Sequence, residues 1–84
     1  MLEAMEQTPK RDLEEVMRFD PEEGIPDLET HLDRLREEAG KLGYSFDRHA
    51  ARNELQAATF GRRSPGEARL LLSPSGAIAI VLKS

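Results

Sequence analysis

The chain of 84 residues carries 12 Lys/Arg against 16 Asp/Glu, a formal net charge of −4, and no cysteine. That length holds one domain around one modest core, and the missing thiols exclude a disulfide framework, thiolate metal sites and cysteine nucleophiles. The charge is polarised: residues 1–40 hold five Lys/Arg and thirteen Asp/Glu, residues 41–84 seven and three. Either the two halves form an oriented electrostatic surface, or the acidic half neutralises the basic half inside the fold.

Residues 1–8 show no pattern and read as a flexible N-terminus, ahead of a single domain over residues 9–84. The start around Met1–Glu6 is acidic and unlike a signal peptide, and the longest apolar run, Ala77–Leu82, falls far short of the roughly 20 residues that cross a bilayer. A soluble, cytoplasmic protein is the expectation. Thr8-Pro9 resembles a helix start, with Leu13, Val16 and Met17 as the apolar stripe. Val16–Phe19 fits a short strand as well, so residues 12–19 stay open between helix and strand.

Asp20-Pro21 and Ile25-Pro26 bracket Glu22-Glu23-Gly24 and break regular structure. Asp27 then stands at an N-cap position, and Leu28, Leu32, Leu35, Ala39 and Leu42 keep helical spacing up to Gly43, a left-handed stop. After the turn Gly43-Tyr44-Ser45-Phe46, Asp47 caps another helix running to about Phe60, with Ala51, Leu55 and Ala58 as a narrow apolar face. Gly61 ends it, and residues 62–66 read as a polar loop.

Ser73-Pro74-Ser75-Gly76 fits a hairpin loop closed by a left-handed glycine. That register sets Ser73 opposite Ala77, Leu72 opposite Ile78, Leu70 opposite Ile80 and Ala68 opposite Leu82, which makes one face wholly apolar. The other face carries Arg69, Leu71, Ala79 and Val81, with Glu67 opposite Lys83. The fold class expected is therefore α+β: two or three helices followed by a C-terminal antiparallel β-hairpin, an order shared with winged helix-turn-helix domains. Because Ala77–Leu82 bears no charge, its edge invites cover from residues 14–19, from a second subunit or from a bound peptide, and a homodimer is one expected outcome.

Catalytic chemistry finds few components. His31 and His49 fall on different helices with no ligand spacing, so no metal site is expected. No serine stands beside a histidine base in an elbow context, no cofactor fingerprint is present, and the expectation is a protein that is not an enzyme. Gly61-Arg62-Arg63-Ser64-Pro65-Gly66 has the glycines and cations of a phosphate-cradling loop. It lacks the Lys-Ser/Thr pair and runs from helix to strand, so a connecting loop with weak anion affinity at Arg62 and Arg63 is the simpler reading.

Binding is the function left. The favoured expectation is a small regulatory domain that engages a protein partner or itself through the hairpin and the adjacent helix face. Leu71, Ala79, Val81 and Arg69 would make the contact, and Arg48, Arg52, Arg62 and Arg63 an electropositive rim. The alternative is a winged-helix nucleic-acid binder in which helix 47–60 presents Arg48, Arg52, Asn53 and Gln56, helped by Arg62 and Arg63. An acidic isoelectric point and a hairpin tip without Lys or Arg weigh against it.

Ala39-Gly40-Lys41-Leu42-Gly43-Tyr44-Ser45-Phe46, within the stretch 35–55, resembles the helix, glycine-aromatic turn and following helix of Nif11-type leader regions in bacterial peptide natural-product precursors. The resemblance implies a precursor or accessory protein for a modifying enzyme. The double-glycine cleavage site of that family is missing, and no C-terminal cysteine is present to be modified.

Overall fold

The computed structural model describes residues 11–83. The elements run β1 (Leu13–Phe19), α1 (Leu28–Leu42), α2 (Arg48–Thr59), β2 (Gly66–Leu72) and β3 (Ile78–Lys83). The strands form one antiparallel sheet in the order β1-β2-β3, and both helices pack on one of its faces. This is the expected α+β class with its C-terminal hairpin, and a strand precedes the two helices.

That strand resolves residues 12–19, which the sequence leaves open between helix and strand. Leu13, Val16 and Met17 have helical spacing, but Glu15, Met17 and Phe19 are buried while Glu14, Val16 and Arg18 are exposed. A period of two is what a half-covered strand needs. Pairing settles the choice: a helix here would leave one edge of β2 open, whereas the strand satisfies it from Leu13↔Leu72 to Phe19↔Gly66. The expected helix start at Thr8-Pro9, and the flexible N-terminus at residues 1–8, lie outside the described residues.

The hairpin has the expected register. Leu72 faces Ile78, Leu70 faces Ile80, Ala68 faces Leu82, and Glu67 faces Lys83, while the Ser73 N–H donates to the Ala77 carbonyl at 2.9 Å. Gly76 takes φ +99°, the left-handed conformation that closes this loop without a Cβ penalty. Residues 14–19 do join the hairpin, but on the β2 side. The outer edge of β3, whose residues 78–82 bear no charge, has no neighbour among the described residues.

The core follows from these two periodicities. Met17, Phe19, Ala68, Leu70 and Leu72 from the sheet meet Leu32, Leu35 and Ala39 of α1 and Ala51 and Leu55 of α2, all buried. Ile78, Ile80 and Leu82 on β3 continue the same face but are only half-buried, because β3 is the outermost strand. The helix termini differ in chemistry. Asp47 caps α2 in the expected way, its Oδ1 accepting from the N–H groups of His49 and Ala50 at 3.0 and 3.1 Å. Asp27 precedes α1 but makes no side-chain cap; it sits in the left-handed region at φ +58°. Gly43 stops α1 at φ +77°, and the Tyr44 N–H donates to the Ala39 carbonyl at 2.9 Å. The buried Tyr44 ring directs its hydroxyl to the carbonyl of Arg11 at 2.8 Å, tying the start of β1 to the end of α1.

Candidate functional site

With both helices on one face, no element among the described residues covers the opposite face of the sheet. Three cross-strand rows make it up: Glu14–Leu71–Ala79, Val16–Arg69–Val81 and Arg18–Glu67–Lys83. Val16 and Val81 keep 42% and 43% of their surface exposed, and Leu71 is half-buried. These side chains form an apolar strip divided by one cation, Arg69. Its Nε is buried and lies 2.8 Å from Glu14 Oε2, without the alignment of a hydrogen bond, so the contact is an ion pair. The face thus carries apolar side chains around a central charge pair, with Arg18, Glu67 and Lys83 along one border.

The residues expected to carry binding are brought together in part. Leu71, Ala79, Val81 and Arg69 share this open face. Arg62 and Arg63 lie at one end of the sheet, in a hollow with Lys83. Arg48 and Arg52 belong to the helical side, so they form no rim around the open face: Arg48 Nη2 lies 2.7 Å from both Glu29 Oε1 and Asp33 Oδ1, and Arg52 also pairs with Glu29. Hydrogen bonds from Arg48 and then Arg52 hold the Glu29 carboxyl below the ordinary carboxylate range, and the same contacts with Glu29 and Asp33 raise the Arg48 guanidinium. Asn53 and Gln56 stay exposed on α2. Gln56 lines a groove of about 300 Å³ with Ile25, Leu28 and Thr59.

One cluster escaped sequence reasoning. Glu15 faces the helices, where its Oε2 lies 2.7 Å from His31 Nδ1 and 3.0 Å from Arg34 Nη1. The carboxylate is 11% exposed and the Arg34 side chain 58%. Both partners converge on one oxygen, so the carboxylate is doubly satisfied where an unpaired one would be costly. The arrangement fixes the imidazole orientation and holds a cation whose remaining N–H groups face solvent. The signal was present in pieces: Glu15 is in phase with Met17 and Phe19, and His31 and Arg34 are three apart on one helix face. Only the crossing of β1 by α1 unites them. Among the described residues no group of His, Asp and Glu side chains is arranged to hold a metal ion, and no helix is long and apolar enough to cross a membrane.

The architecture is similar to the crystal structure, at 2.30 Å resolution, of a protein assigned as an amino-acid aminotransferase from Mesorhizobium loti. The TM-score is 0.79 at 29% sequence identity, over 86% of this chain and 35% of that one. No family model matches the chain, nor does a curated protein. The chain therefore spans about a third of the length of the solved protein it is similar to.

Proposed function

We propose that this chain is a small binding domain that works by docking its open sheet face, with the hairpin at its centre, onto a protein partner. The observation that carries this reading is the mixed face itself: Val16, Leu71, Ala79 and Val81 exposed or half-exposed around the Arg69–Glu14 pair, on a sheet whose other face is already filled. An apolar strip around a fixed charge pair suits burial against a complementary surface.

The likeness to the aminotransferase-assigned protein supports a partner class. There, a fold of this kind accounts for 35% of a longer chain, so the favoured partner here is a larger aminotransferase-type portion, to which this domain contributes one wall. On that reading the domain supplies no complete active site of its own, and any amino-group transfer belongs to the assembly. A second copy of the chain is the other candidate occupant, through the edge of β3 that has no neighbour among the described residues. For duplex binding by α2, two of the four proposed readers, Arg48 and Arg52, are already engaged by Glu29, and no further observation favours that alternative.

The test is the native mass of the protein recovered from its own cell, compared between wild type, Val81→Lys and Ala79→Asp. Loss of the heavier species with unchanged circular dichroism is expected for both variants, because both positions are exposed. An unchanged native mass in folded variants would remove the reading.

A further inference from the structure

Beyond the end of α2 the chain turns through Gly61, at φ +77°, into Arg62, Arg63 and Ser64. These three residues line one hollow of about 110 Å³ together with Lys83 at the end of β3, and Phe19 and Leu82 form its wall. The convergence is built by Gly66. A Cβ there would collide with the Lys83 carbonyl oxygen and lie 2.9 Å from the Phe19 ring, so glycine alone lets β2 begin this close to both. The adjacent Arg62 and Arg63 and the sequence-distant Lys83 thereby line one recess.

Among the described residues no carboxylate lies within ion-pairing distance of Arg62, Arg63 or Lys83. Asp20 Oδ1 accepts from the N–H groups of Glu22 and Glu23, and Glu67 stands opposite Lys83 on the open face without pairing. Arg34, Arg48, Arg52 and Arg69, by contrast, each meet a carboxylate. Like charges around a wall of Phe19 and Leu82 repel one another, and the apolar wall concentrates their field.

We infer that this hollow is an oxyanion site for phosphate, free or as the terminal group of a small phosphomonoester. A dianion neutralises the cluster as a monoanion does not. The guanidinium forks match tetrahedral oxygens, and the Ser64 hydroxyl adds a donor. The backbone N–H groups of Arg63 and Ser64 find no backbone acceptor among the described residues, so they too are open to the anion. The recess holds one such group, and the adjoining groove of about 310 Å³, which shares Phe19 and Arg62 and runs along Thr59 and Phe60, has room for an organic remainder. The inference is independent of the docking face.

The test is a titration of the full chain, labelled with nitrogen-15, with inorganic phosphate and separately with glycerol 3-phosphate, each at ionic strength held constant with sodium chloride. Saturable shifts confined to the amides of residues 61–64 and Lys83 are expected, with affinity in the millimolar range. Arg63→Gln and Lys83→Gln should each weaken binding about two- to fivefold, the scale of one exposed charge contact, while Arg36→Gln on α1 leaves it unchanged. Tighter binding of glycerol 3-phosphate assigns the site to a phosphomonoester, and equal binding assigns it to free phosphate. Shifts that stay linear with both anions, or that survive both substitutions, overturn the site. All three substituted positions are exposed, and circular dichroism checks that each variant folds.

Discussion

Glu15 shows how one residue can hold two elements in relation. It is a charged side chain at a position the strand periodicity buries, and it is tolerated because His31 and Arg34 reach the same oxygen. Glu15→Ala is expected to cost about 1–3 kcal/mol, since it removes the acceptor for a largely buried imidazole; urea denaturation measures it, with an unchanged midpoint as the opposing result. Gly66 is a second such residue. Gly66→Ala places a methyl group against a backbone oxygen that has no freedom to move, and about 1–3 kcal/mol of overpacking strain is the expected loss, read as a fall in midpoint. Neither role could be read from the sequence. Glu15 looked like one of many surface acids, and Gly66 like the end of a loop.

The two helices carry start signals that look alike, Asp27 and Asp47, yet only Asp47 makes the capping hydrogen bonds. Asp47→Ala should therefore cost about 1 kcal/mol. Asp27→Gly should leave stability unchanged or slightly raised, because glycine takes a positive φ without the steric penalty. Equal losses at both sites in thermal unfolding would contradict this account. The hairpin was legible because its loop chemistry and its apolar alternation select the same register. β1 was not, because seven residues with Leu13, Val16 and Met17 in helical phase also satisfy a strand, and the choice rests on pairing with the sequence-distant residues 66–72. Local periodicity decides an element only when the competing period is absent.

Across the described residues part of the polarised charge is used internally. Glu29 and Asp33 in the acidic half meet Arg48 and Arg52 in the basic half, and Glu14 meets Arg69. The depressed Glu29 carboxyl gives the pH dependence its sign. Its contribution is present above the unperturbed value of 4.5 and is lost as pH falls through the lower value it has in the folded chain. Glu29→Gln should accordingly flatten the acid limb of a stability profile and leave the neutral region little changed, because the pair is exposed and screened. An acid limb identical to wild type would show that the bridge between α1 and α2 carries no linkage. What the sequence determined by itself was whatever depends on neighbours a few residues away: two helices and their apolar faces, the stop at Gly43, the cap at Asp47, and the hairpin with its pairing. The tertiary structure decided that residues 13–19 form a strand, that Glu29 and Asp33 of the acidic half meet Arg48 and Arg52 of the basic half between α1 and α2, and that one sheet face is left bare by the described residues while Arg62, Arg63 and Lys83 line a hollow at its end. Those outcomes depend on which distant surfaces meet, and the bare face and the cationic recess exist only once both helices have chosen the same side of the sheet.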